Sequence, residues 1–153
     1  MVLKVLTGGL AVLLALTLQI KAQSVLGWSP ELVLATLIAL ACFSGAVPLL
    51  VAAIVSSWVL NWQPHLSWEL FVFTALPLIF LFSKRHFPLQ MWLVNALGVA
   101  ASVIAFYSLV DYSLFFTHTK IVWSDIVVST AYGSLLFQVF HAAYGRLDAE
   151  RLS

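Results

Sequence analysis

The sequence predicts an all-α membrane protein. It reads as one integral membrane domain over residues 1–153, a polytopic bundle of six transmembrane helices with five as the alternative. Three observations lead there. Of 153 residues, 63% are hydrophobic and 8% charged, and the mean hydropathy is +1.06. Soluble domains do not carry that balance. Long apolar runs recur between short polar stretches, among them Leu70 to Phe82 and Leu89 to Val110. Between those two runs lies the densest positive cluster, Ser83-Lys84-Arg85-His86-Phe87-Pro88. Charge is too costly inside hydrocarbon, and short basic turns stay in the cytoplasm. That turn therefore fixes the threading of the rest.

The first helix reads from Val2 to Ile20, with Gln19 at its polar end. Gly8, Ala11 and Ala15 form a small-residue face suited to close approach of another helix. Residues 1–24 have the outline of a signal peptide, but Lys21 interrupts it and many spans follow, so the segment reads as a retained helix. Ser29-Pro30-Glu31 predicts a helix start: a capping serine, proline at the first position and an acid in the first turn. The second helix then runs from Pro30 to Phe43, and a third from Pro48 to Leu60 after the turn Ser44-Gly45-Ala46-Val47. Each is short for a hydrocarbon core of about 30 Å. One long kinked helix over residues 30–62 is the five-span alternative.

Residues 61–68 read as an outer loop. Ser67 is the cap of the fourth helix, Glu69 lies in its first turn, and the helix runs through Pro77 to Phe82. The fifth runs from Pro88 to about Asp111, with Asn95, Gly98 and Ser102 on a small, mildly polar face. Residues 111–123 read as the longest outer loop. Ser124-Asp125 opens the sixth helix, which reaches Tyr144. Both threadings place Lys84, Arg85, Arg146 and Arg151 inside, and six spans also place Lys4 there, beside the terminal amine. Trp28, Trp58, Trp62, Trp68 and Trp123 fall at the outer boundary and Trp92 at the inner one, as an aromatic belt would.

Few residues suggest chemistry. No phosphate loop, zinc motif or nucleophile–base pattern is present, which predicts no enzyme, no cofactor and no resident metal. A net charge of +1 gives no reason to expect nucleic-acid binding. Cys42, the lone cysteine, reads as a small packing residue. His65, His86, His118 and His141 show no ligand spacing. Gln138 and His141 share a face of the last helix, but with no acid in the predicted hydrocarbon core a proton relay finds little support. Asp111 and Asp125 read as interfacial acids in water, Asp125 favoured by a helix N-terminus.

The first hundred residues resemble the rod shape-determining protein MreD family. The resemblance rests on Leu18-Gln19 closing the first helix and Ser29-Pro30-Glu31-Leu32-Val33-Leu34 opening the second. Ser44-Gly45 and the basic turn Lys84-Arg85 continue it. The family's Gly-rich third helix ends in an acid, whereas this chain reads Val51-Ala52-Ala53-Ile54-Val55-Ser56-Ser57-Trp58 there. The resemblance implies a fold like the S components of energy-coupling-factor transporters. It also implies a non-enzymatic scaffold in the bacterial inner membrane, within the cell-wall elongation complex. Its partners would be an MreC-like bitopic protein, other elongation proteins and membrane lipids.

Two functions follow as expectations. A scaffold would work through helix packing at Gly8, Ala11, Ala15, Asn95, Gly98 and Ser102, and would have no deep polar pocket. A vitamin- or metal-binding S component would instead have an outward pocket lined by Trp62, His65, Trp68, Asp111, Tyr112 and Asp125.

Overall fold

The computed structural model describes the backbone of residues 2–60 and 67–150 and the side chains of residues 6–60 and 67–144. Within these residues the chain is helical, with no strand. α1 spans Val2–Leu26, six residues beyond the expected end, because residues 21–26 hold no proline or glycine to stop it. Gly27 does stop it. Its φ of 74° is left-handed, and its N–H donates to the Gln23 carbonyl at 3.2 Å.

α2 spans Leu32–Ala41 and α3 spans Ala46–Leu60. Between them the chain turns at Cys42–Gly45, where the amides of Phe43 and Ser44 both donate to the Leu40 carbonyl. Residues 30–60 therefore hold two helices rather than one bent rod. The predicted serine cap at Ser29 is not used. Glu31 holds the cap position, without a side-chain capping bond of its own. α4 spans Trp68–Ser83 and continues through the buried Pro77. Here the predicted cap is present, with Ser67 Oγ accepting from the Leu70 N–H at 3.4 Å. A single 3₁₀ turn, Lys84–His86, follows.

α5 spans Met91–Val110, α6 is the single turn Leu114–Thr117, and α7 spans Thr119–Glu150. The expected long loop over 111–123 is therefore mostly helix. Val122, Ile126, Ser129, Gly133, Leu136 and Phe140 make a buried stripe at helical spacing, and its first member precedes Ser124. Packing of that stripe carries the helix back to Thr119.

α2 is the centre of the bundle. All ten of its residues are buried, and α1, α3, α4, α5 and α7 pack against it. Those five form a ring through the contacts α1–α3, α3–α4, α4–α5 and α5–α7. A hydrogen bond of 2.8 Å between Thr7 and Tyr144 links α7 back to α1. Gly133 brings α7 close to both α5 and α2, since a Cβ there would lie 2.8 Å from Val99 Cγ2 and 3.4 Å from Ala35 Cβ.

Much of the described surface is apolar. Leu10, Leu13, Val51, Val55, Phe71, Ile79, Val127 and Leu135 are all exposed. Water would penalise such a surface and hydrocarbon would not. Three helical stretches are long and apolar enough to cross a bilayer: Leu6–Leu26, Met91–Val110 and Thr119–Tyr144. These features mark a membrane protein. α2, α3 and α4 are shorter, at 10, 15 and 16 residues.

Candidate functional site

Successive long helices alternate in direction. One end of the bundle therefore collects the C-termini of α1, α3 and α5 with the N-termini of α2, α4 and α7. The polar groups meet there. Asp125 is fully buried, and three donors surround its carboxylate. Its Oδ1 accepts from the Glu31 backbone N–H at 2.9 Å and from Ser129 Oγ at 2.7 Å. Its Oδ2 accepts from the Tyr107 hydroxyl at 2.5 Å. Gln19, also buried, accepts from the Val33 N–H at 3.0 Å through Oε1. The first turn of α2 is thus capped by α1 and α7, which is why no local serine is needed. The expectation that Asp125 sits in water is corrected: the 3–4 spacing of Val122, Asp125, Ser129 and Gly133 places it on the inward stripe. That spacing was the available signal in the sequence.

In front of this network lies a cavity of about 200 Å³. Its polar lining is Gln19, Gln23, Ser29, Glu31, Ser57 and Glu69, and its apolar lining is Leu60, Leu70, Phe73 and Phe106. Glu31 is half-buried and lines the cavity. Burial, and secondarily the Asp125 carboxylate, push the Glu31 carboxyl up to about 8, against the hydrogen bond from Gln19. A polar pocket is therefore present at this end of the bundle. Its residues also differ from the predicted outward set. Trp68 is exposed, with Nε1 donating to the Leu109 carbonyl at 3.1 Å. Asp111 and Tyr112 are exposed, and Asp111 accepts from Ser113 Oγ. Trp62 and His65 lie outside the described residues. Asp125 joins the cavity only through Glu31.

The small-residue faces divide. Gly8 lies against Leu40 of α2, Ala15 is buried, and Ala11 packs on the core. That face serves the chain's own central helix. Asn95 is buried and reaches across the bundle, its Nδ2 donating to the Gly133 carbonyl at 3.2 Å. Gly98 and Ser102 line a second cavity, an apolar groove of about 440 Å³ between α4 and α5. Leu76, Ile79, Phe80, Leu97, Ala101 and Ala105 complete most of its walls. Phe80 lies directly over Gly98, where a Cβ would come within 2.2 Å of the ring. Gln138 and His141 are exposed on the outer face of α7.

At the opposite end, Lys84 Nζ donates to the carbonyl of Ala41, the last residue of α2. Burial lowers the Lys84 pKa below the ordinary lysine value. Among the described residues no three His, Cys, Asp or Glu side chains gather as a metal site would require. Comparison with protein-family models, with curated proteins and with solved structures gives no match.

Proposed function

We propose that this chain is a non-enzymatic scaffold of the bacterial inner membrane, acting in the cell-wall elongation machinery by packing against a bitopic, MreC-like partner. The observation that carries the reading is the groove between α4 and α5. Gly98, Ala101, Ser102 and Ala105 recur at intervals of three and four, so small residues form one wall along successive turns of α5. In lipid, where burial of apolar surface drives nothing, helices associate by close packing on small residues. The groove is flanked by exposed Ile79 and Leu97 and faces where lipid would be. The MreD-like stretches lend support of a second kind. Leu18-Gln19 and Ser29 to Val33 meet in space, with Gln19 capping α2 at Val33. In this reading the basic turn Lys84-Arg85 and the C-terminus face the cytoplasm, and the bundle crosses the membrane six times.

The test is site-directed cross-linking with the bitopic partner encoded in the same genome. A photo-reactive residue at Leu97 or Ile79 should capture the partner's transmembrane helix, and one at Leu135 on α7 should not. Ala101→Trp, which fills the groove, should abolish co-purification while the thermal midpoint changes little. Equal cross-linking at Leu135, or co-purification undisturbed by Ala101→Trp, would overturn the reading. A tightly bound small molecule with no membrane partner would favour a transporter S component instead.

A further inference from the structure

The polar cavity plays no part in the packing function, yet its lining is specific. Six polar side chains from three helices and the 27–31 connection converge on a space walled otherwise by leucine and phenylalanine. Placed polar groups set against apolar walls are what small-molecule sites have. The sign of the ligand's charge follows from the lining. Two acidic residues, Glu31 and Glu69, line the space, and no lysine or arginine does. The N-terminus of α2 would ordinarily attract an anion. Here its Glu31 and Val33 amides are already taken by Asp125 and Gln19. A metal ion fits poorly, because a hard cation takes six or more oxygens and half of the walls are hydrocarbon. Aromatic faces, by contrast, suit an organic cation. At roughly 30 Å³ per water-sized group, the volume admits a molecule of about seven non-hydrogen atoms.

The geometry points to a binding site for a small organic ammonium ion, its charge held by Glu31 and Glu69 and its short apolar body against Leu60, Phe73 and Phe106. This goes beyond the scaffold reading and does not depend on it. The site also couples binding to a proton. Glu31 is faced by Asp125 from α7, Tyr107 from α5 and Glu69 from α4, while α1 and α3 present only neutral Gln19, Gln23 and Ser57. Without a ligand, Glu31 keeps its proton up to about pH 8. The ammonium ion takes the place of that proton: the carboxyl O–H bond breaks, the proton leaves to solvent, and the carboxylate pairs with the cation.

The test uses the full chain, purified alone, with n-butylamine as the probe and 1-butanol and butyrate as neutral and anionic matches. At pH 8.5, n-butylamine should raise the thermal midpoint, and the two matches should not. Calorimetry should show affinity weakening about tenfold for each pH unit below 8, with a proton released on binding. Glu69→Gln should weaken the response at all pH values, and Glu31→Gln should weaken it and remove its pH dependence. Glu69 lies exposed in the first turn of α4, so its variant keeps the test valid if Glu31→Gln does not fold. Equal stabilisation by 1-butanol, or an undiminished response in the folded glutamine variants, would overturn the site. A response to sodium or magnesium chloride with none to n-butylamine would overturn the ammonium assignment.

Discussion

The two ends of α2 are held in opposite ways. At its N-terminus, acceptors on two other helices take the amides: Gln19 of α1 on Val33 and Asp125 of α7 on Glu31. Behind Asp125 stand Tyr107 and Ser129, so α5 is tied in as well. At its C-terminus a single half-buried lysine, Lys84, reaches the Ala41 carbonyl from the turn after α4. Both arrangements match the helix dipole, acceptors and acid at the positive end and a cation at the negative one. The difference lies in replaceability. A flexible lysine near the bundle surface can give way to water, whereas a carboxylate with three donors and no exposure cannot. A central helix enclosed by its neighbours has to borrow its caps from them.

The sharpest way to break this comparison is Asp125→Ala. It strands three donors in a buried site, and a loss of about 4 kcal/mol is expected from their combined desolvation. Equilibrium unfolding in mixed micelles measures it. Asp125→Asn, which still offers an acceptor, should lose clearly less. The next effect is a pH slope. Between pH 4.5 and about 8 the folded chain keeps a proton on Glu31 that the unfolded chain has released. Stability without ligand should therefore fall as pH rises through that window. Glu31→Gln should flatten the slope in a series of thermal scans. Gln19→Leu strands only the Val33 amide, so a loss of about 1–3 kcal/mol is expected in the same unfolding assay. Lys84→Met should cost the least, about 1 kcal/mol or below, because water reaches the Ala41 carbonyl more readily. A Lys84→Met loss as large as that of Asp125→Ala would erase the contrast between the two ends.

What the sequence made legible was local. Ser67 caps α4 because its hydroxyl needs only the amide three residues on, and the turn at Gly45 needs only its own backbone. The helical class and the apolar exterior follow from composition in the same way. What stayed hidden depends on partners distant in the chain. Ser29 has every mark of a cap, yet side chains 14 and 94 residues away from the amides they cap do the work. The polar set predicted at Trp68, Asp111 and Tyr112 was chosen by nearness to helix ends. Which polar groups share a cavity depends instead on how α1, α3 and α4 turn their faces, and Glu31, Glu69 and Gln23 meet only through that packing. The small-residue stripes were readable as stripes. Nothing in their spacing says that Gly8 meets Leu40 of the central helix while Gly98 lies under Phe80 and lines the groove.

The enclosure of α2 has a consequence for biosynthesis. Its ten residues leave the ribosome early, but the carboxylate that caps its first amide is translated 94 positions later. A segment roughly 15 Å long cannot settle alone in a bilayer about 30 Å thick. The nascent chain therefore has to shelter α2 against α1, or within the insertion machinery, until α7 arrives to close the ring.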